Sequence, residues 1–221
     1  MKLALLGKGK TGSKVLELFS GEVSVFDSKR PPTFEELIQS DVIISFLPGE
    51  SFQNLIPLLM ETKKPVVTGS TGFTWPIEFD QTLQKKNLSW IYATNFSLGV
   101  VVMKHLIQKL QQMDHLFKEK NYSLHEVHHT KKLDAPSGTA LSMKEWLNRD
   151  CPITSERRGD VVGLHTLSLT TPGEVIRLEH EALDRRLFAE GALWASQFIF
   201  HHHLPPGLHP FQQVVEKHLS L

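Results

Sequence analysis

The sequence predicts an α/β protein in two parts: a Rossmann-type, parallel-sheet nucleotide-binding domain and a second, smaller α/β domain with a mixed or antiparallel sheet. Three observations carry this prediction. Leu3 to Leu6 form a continuous apolar run that leads straight into Gly7-Lys8-Gly9-Lys10-Thr11-Gly12, a full G-x-G-x-x-G. Strand-like and helix-like patterns then alternate as far as residue 92, the rhythm of a parallel sheet with crossover helices. Beyond residue 160 the rhythm changes to two strand-like runs around Thr171-Pro172-Gly173, a hairpin signal.

The opening run reads as a strand buried on both faces. The glycines that follow let the backbone approach a pyrophosphate, and the helix N-terminus behind them faces its charge. Val15, Leu18 and Phe19 continue at helical spacing, residues 23–26 form a second strand, and Asp27 closes it. An acid at this point, about 20 residues beyond the first glycine, accepts bonds from ribose hydroxyls. Gly7, Lys8, Gly9, Lys10, Thr11, Gly12 and Asp27 are therefore candidate cofactor-binding residues. Asp27 favours NADH, while Lys29 and Arg30 offer charge to the 2′-phosphate of NADPH, so both cofactors are expected.

Helices are predicted over 33–40, 51–62 and 75–86, and strands over 41–46, 65–68 and 88–92. The last two strands run into small polar segments, Gly69-Ser70-Thr71-Gly72 and Ala93-Thr94-Asn95-Phe96. Parallel sheets bind ligands beyond the carboxyl ends of their strands, which is where both segments fall. Residues 100–113 read as a helix leaving the first domain.

The stretch Glu126-Val127-His128-His129-Thr130-Lys131-Lys132-Leu133-Asp134-Ala135-Pro136-Ser137-Gly138-Thr139-Ala140 follows a short strand over 122–127. Pro136 fits a first helical turn, and Ser137 or Asp134 fits a helix cap. Ala140, Met143 and Leu147 recur at helical spacing, which predicts an amphipathic helix over 138–149. Titratable side chains at a strand end thus face a helix N-terminus, an arrangement that binds an anion and can give it a proton. Residues 157–160 read as a polar turn, 161–170 and 174–182 as strands, and 192–200 as a helix. The expected division is 1–96, completed by 196–221, and 97–195 as an inserted second domain that carries the candidate anion site.

Composition narrows the partners. Lys plus Arg and Asp plus Glu number 24 each, for a formal net charge of zero, which points away from nucleic acid. No apolar run approaches the roughly 18–20 residues of a membrane span, and the N-terminal run breaks at Gly7, early for a signal peptide. The single cysteine, Cys151, excludes an internal disulfide and reads as a helix-end residue, so a cytoplasmic location is expected. His201-His202-His203 lacks a carboxylate or cysteine at ligand spacing, and consecutive histidines cannot all face one metal, so no metal is expected.

The pattern E-x-H-H-x-x-K-x-D-A-P-S-G-T-A at 126–140 resembles the signature of the 4-hydroxy-tetrahydrodipicolinate reductase (dihydrodipicolinate reductase) family. His180 to Gly191 is similar to the family's H-x-A-x-x-R-x-x-F-x-x-G and places Arg185 at its arginine. The resemblance implies NAD(P)H-dependent reduction of 4-hydroxy-tetrahydrodipicolinate to tetrahydrodipicolinate and water, on the diaminopimelate route to lysine. It further implies a homotetramer built through the second sheet, and that Gly69, Ser70, Thr71, Ala93, Thr94, Asn95 and Phe96 line the nicotinamide side. Ser70 stands where a threonine is usual, and Lys10-Thr11 where an arginine is often found.

The substrate is a cyclic imine with two carboxylates. On this reading one carboxylate sits at the N–H groups of Ser137, Gly138 and Thr139, His129 holds the substrate, and Lys132 supplies charge and a proton. His128 is the acid that protonates the ring system after hydride transfer. Two other readings stay open. One is a different NAD(P)-dependent oxidoreductase acting on another small carboxylate, though no Tyr-x-x-x-Lys occurs. The other is a nucleotide-sensing module without catalysis.

Overall fold

The computed structural model describes residues 1–218 of the 221-residue chain. In chain order the first elements are β1 (Leu3–Leu6), α1 (Lys10–Leu18), β2 (Val23–Phe26), α2 (Phe34–Leu37), β3 (Val42–Ser45), α3 (Gly49–Glu61), β4 (Val66–Thr68), α4 (Phe79–Lys85) and β5 (Ser89–Tyr92). Then come α5 (Leu98–Met113), a short 3-10 turn at Asp114–Leu116, β6 (Asn121–His128), α6 (Gly138–Leu147), β7 (Ile153–Arg157), β8 (Gly163–Thr170) and β9 (Val175–Ala182). The chain closes with α7 (Arg186–His201), β10 (Gly207–Pro210) and α8 (Phe211–His218).

The chain divides into two compact units, Met1–Ser97 with Arg185–Leu221, and Leu98–Asp184. The return falls at 185, not at 196 as the sequence suggests. The reason is α7, a single 16-residue helix that lies against α1, β3 and β4 along its length. Gly191, in its middle, sits so close to the Phe96 carbonyl that an added Cβ would lie 1.8 Å from that oxygen.

In the first unit a six-stranded, all-parallel sheet runs β10-β5-β4-β3-β1-β2. β1 and β3 are buried at every residue, as strands covered on both faces must be. Leu6, Phe26, Ile43, Phe52 and Trp90 are core residues of this unit. Two helices are shorter than predicted. α4 starts at Phe79, not 75: Pro76 has no N–H to give to a helix, and the Trp75 ring stacks on Phe79 at 5.1 Å. α2 is four residues long; Thr33 and Glu36 cap its start, and the Ser40 hydroxyl bonds the Leu37 carbonyl just past its end.

The second unit holds a four-stranded sheet in the order β7-β6-β8-β9. β6 and β7 are parallel and the other pairs antiparallel, so the sheet is mixed. Met103, Ile107, Met143 and Leu147, from α5 and α6, pack with Leu124, Leu167 and Leu169 from the sheet. Asp114, almost fully buried, accepts bonds from Arg149 at 2.8 and 3.3 Å and from the Tyr122 hydroxyl at 3.3 Å. This clamp ties the end of α6 to the start of β6. Cys151 is buried, and burial pushes its thiol up, which suits a packing residue.

Candidate active site

The carboxyl ends of β1 to β5 all lie at one edge of the parallel sheet, so the loops after them gather there. Gly7 has φ +95°, and a Cβ on it would lie 2.9 Å from the Phe46 carbonyl oxygen. A Cβ on Gly12 would lie 1.9 Å from the Gly7 oxygen, so only glycine lets α1 sit this close to β1. Gly9 is the N-cap of α1, with no side chain capping the helix and no acid in its first turn. The positive end of the helix dipole is left for an anion. Beside it opens a cavity of about 590 Å3, lined by Lys8, Gly9, Asp27 and Lys29 among others. These residues fit a nucleotide, with a glycine cradle for its phosphates and an acid for its ribose.

Asp27 uses one carboxylate oxygen to accept the backbone N–H groups of Lys29, at 2.8 Å, and Arg30, at 3.1 Å. Those two bonds hold its carboxyl below the usual range. Lys29 lines the cavity, but Arg30 does not. Its guanidinium bonds Glu36 at 2.7 Å and the Val25 carbonyl at 3.3 Å, and lies 5.0 Å from the centre of the Phe26 ring.

The segments after β4 and β5 stand side by side. Ser70 is buried and its hydroxyl meets that of Ser45 at 3.1 Å. A Cβ on Gly69 would strike the Phe46 ring, and the Thr71 carbonyl closes on Gly49 at the start of α3. Ala93 donates its N–H to the Thr68 carbonyl, Asn95 caps the N–H of Ser97, and Thr94 is exposed. Phe96 departs from expectation. Its ring is 2% exposed and packs between Phe46 and Phe211, so its side chain belongs to the core and only its backbone is left for the lining role expected of it.

The second cluster lies in the mixed sheet. Alternation along β6 puts Tyr122, Leu124, Glu126 and His128 on one buried face. The antiparallel register places His165 of β8 directly opposite Glu126, with His180 of β9 next in the row. Glu126 is fully buried, and its carboxylate accepts the Ser137 N–H at 3.0 and 3.1 Å and the Arg157 guanidinium at 3.2 Å. His128 Nδ1 and His165 Nε2 stand 3.6 and 3.7 Å from it. Burial pushes the Glu126 carboxyl up, but bonds from Ser137, Ser155 and Arg157 outweigh that and leave it below its ordinary value. Burial lowers His128, against the opposing pull of Glu126, and takes His165 down to about 4.

Ser137 is the N-cap of α6, its hydroxyl accepting the Ala140 N–H at 3.2 Å and meeting His165 Nε2 at 3.1 Å. Pro136 lies before this cap rather than in the first turn. Ser137 therefore departs from the anion-binding role expected of it. It is 2% exposed, and its N–H is already given to Glu126. Gly138 is exposed and Thr139 half-buried, leaving their N–H groups at the helix start. Lys132 reaches back to Asp134 at 2.8 and 2.9 Å, and His129 is half-buried beside His128.

Arg157 pins the intervening loop: it bonds the carbonyls of Lys132 and Asp134 as well as Glu126. Reading 157–160 as a polar turn hides this role, because β7 is a polar edge strand with no alternation. His165 is also missed by sequence reasoning. The available signal is a histidine in line with Leu167 and Leu169, on what is otherwise an apolar face.

Among the described residues, Glu126, His128 and His165 bring one potential metal-ligand atom each to within 4.8 Å. The Arg157 guanidinium on the same carboxylate opposes a cation there, so the trio fits a hydrogen-bonded support for His128 better than a metal centre.

Comparison with known proteins agrees with this geometry. Residues 99–215 match the family described as dihydrodipicolinate reductase, C-terminus. The chain is 30% identical over 226 residues to the 4-hydroxy-tetrahydrodipicolinate reductase of Thermosipho africanus, covering 98% of this chain and 99% of that one. It is 31% identical over 223 residues to the same-named enzyme of Christiangramia forsetii, covering 90% and 92%. Its fold is similar to that of the dipicolinate-bound dihydrodipicolinate reductase from Paenisporosarcina sp. TG-14. That match has a TM-score of 0.74 at 20% identity over 95% of this chain and 97% of the other. With the motif of β6 and α6 and a matching relative along nearly its whole length, the chain belongs to the 4-hydroxy-tetrahydrodipicolinate reductase family of oxidoreductases.

Proposed function

We propose that the protein reduces 4-hydroxy-tetrahydrodipicolinate to tetrahydrodipicolinate and water with a nicotinamide nucleotide, on the diaminopimelate route to lysine. The observation that carries this reading is the end of β6. His128 and Lys132 stand there beside the start of α6, where the N–H groups of Gly138 and Thr139 suit a carboxylate. Lys132 exchanges Asp134 for the substrate, giving charge and a proton, and His129 helps to hold the ring. His128 is neutral in the resting protein because burial lowers it. The charge of a bound dicarboxylate raises it toward the range where it can act as an acid. A bound nicotinamide nucleotide supplies the hydride; a proton enters with it and the 4-hydroxyl leaves as water. Ser137 serves from behind, by capping the helix.

The nucleotide occupies the cavity at Gly7 to Gly12 and Asp27, with Gly69 to Thr71 and Ala93 to Asn95 toward the nicotinamide. Both NADH and NADPH are used: Asp27 favours free ribose hydroxyls and Lys29 favours phosphate. Two further assignments rest on the family. The protein works in the cytoplasm, and it forms a homotetramer through the second sheet, whose open edges are β7 and β9. No described helix is long and apolar enough to cross a membrane.

The test is the fall in NADH and NADPH absorbance on adding the cyclic substrate to purified protein. Oxidation that depends on the substrate and disappears in His128→Gln supports the reading. A folded protein that binds the nucleotide but does not oxidise it with this substrate overturns it.

A further inference from the structure

Arg30 and Lys29 follow Asp27 directly, and at the end of the second strand of such a sheet either could meet a 2′-phosphate. The structure separates them. Lys29 lines the cavity with Asp27, Ser28, Pro31 and Pro32, while Arg30 is left out of that wall. Three interactions hold it elsewhere. One guanidinium nitrogen donates to Glu36 Oε1 at 2.7 Å, another donates to the Val25 carbonyl at 3.3 Å, and the group lies against the Phe26 ring.

Glu36 is itself fixed. Its second oxygen accepts from the Thr33 hydroxyl at 3.2 Å and the Thr33 N–H at 3.4 Å, while its own N–H goes back to the Thr33 hydroxyl. That reciprocal cap fixes the carboxylate at the start of α2. The bond from Arg30, with those from Thr33, keeps the Glu36 carboxyl below its usual value, so it is charged at neutral pH.

We infer that Glu36, which does not line the cavity, is a specificity-determining residue. By holding Arg30 against Phe26, it withholds this guanidinium from a 2′-phosphate and so limits the preference for NADPH. The inference rests on the cavity being the nucleotide site. A phosphate dianion competes with a carboxylate for a guanidinium, and it is the stronger partner where the geometry permits a two-pronged grip. Glu36 offsets that advantage because its carboxylate is already in place. Lys8 and Lys29 then remain the cations of the cavity wall, point charges on flexible stems that discriminate weakly.

Calorimetric titration of NADH and of NADPH into the purified protein, without substrate, tests this directly. Glu36→Gln keeps a side chain that can cap Thr33 but removes the charge. NADPH should then bind about fivefold more tightly, the value of one exposed charge contact, with NADH unchanged. Arg30→Met alone should leave both affinities as they are, since Arg30 is already engaged. Added to Glu36→Gln, it should cancel the NADPH gain. An unchanged ratio in a folded Glu36→Gln protein overturns the inference while leaving the nucleotide site intact. So does a loss of NADPH affinity in Arg30→Met, a result that does not depend on how the Glu36 variant folds. If the unaltered protein binds neither nucleotide, the assignment of the cavity falls, and this inference with it.

Discussion

The carboxylate of Glu126 accepts the backbone N–H of Ser137 at 3.0 and 3.1 Å, so the last turn before α6 hangs from a fully buried acid on β6. The strand that carries His128 and the helix start assigned to the substrate carboxylate are joined through this one side chain.

Glu126→Ala should therefore be among the most destabilising single changes in the second unit. It strands Arg157, which is about one-fifth exposed, without its carboxylate and leaves the Ser137 N–H unpaired. Breaking a buried pair in this way costs roughly 3–5 kcal/mol. Urea denaturation of both proteins gives the number, and a loss below about 1 kcal/mol would remove Glu126 as the tie.

Acid sensitivity should begin above the carboxylate range. His165 ordinarily titrates near 6.5 but is held down to about 4, first by burial and then by His128. The unfolded chain binds the proton that the folded one refuses, so this contribution is whole above pH 6.5 and is lost as pH falls toward 4. Its size is on the order of 3 kcal/mol. His128 and His180, also lowered by burial, act with the same sign. Stability measured at several pH values should slope less steeply in His165→Asn; identical slopes would mean that His165 is not held neutral.

Gly163→Ala should slow the reaction without unfolding the protein. A Cβ there would lie 3.1 Å from His128 Nε2 and 3.4 Å from Cδ2, pushing the ring by a few tenths of an ångström. Misplacement by about 1 Å can cost 10²-fold, so a shift of this size should lower turnover about tenfold. The melting temperature should hardly move. Normal turnover would show that the position of His128 is not critical.

His128→Gln should lower turnover by about 10²–10⁴ while changing KM far less, because it removes an acid and keeps a polar tip. Lys132→Ala should harm both, since its charge also grips the substrate. Lys132→Arg should not rescue it, because a planar guanidinium does not place one proton as an ammonium does. Steady-state kinetics beside a melting curve separates these effects from a loss of folded protein. A folded His128→Gln enzyme with near-normal turnover would take His128 out of the mechanism.

Local pattern made much of this readable. β1, the glycine loop, α1, β2 and Asp27 lie in one short span where Gly7 and Gly12 each have a steric reason, and local pattern alone places them in order. The roles of Glu126, His165 and Arg157 depend instead on strand register between distant segments, which no window along the chain displays. β7 has no strand signature because its polar Ile153–Arg157 run lies at a sheet edge, and only its last residue falls in the turn predicted over 157–160. β10 escapes a pattern reading because it has four residues and ends in proline, tolerated because it is an edge strand. Arg30 shows the opposite limit: its charge was evident, but its direction was set by Glu36 six residues later.

The position of β10 has a consequence for how the chain is made. Its partner β5 ends at Tyr92, and β10 begins at Gly207, after the whole inserted unit. A ribosome therefore delivers β1 to β5 of the parallel sheet long before the sixth strand. Until β10 arrives, Ser89 to Tyr92 present an unpaired edge, and Phe96 lacks the Phe211 ring it packs against. The nascent protein must carry this exposed edge through the synthesis of more than half its length. Contacts of such long sequence separation form late and slowly. Chaperone dependence and aggregation during expression should thus respond to changes near Gly207 and Phe211 more than their small share of the core would suggest.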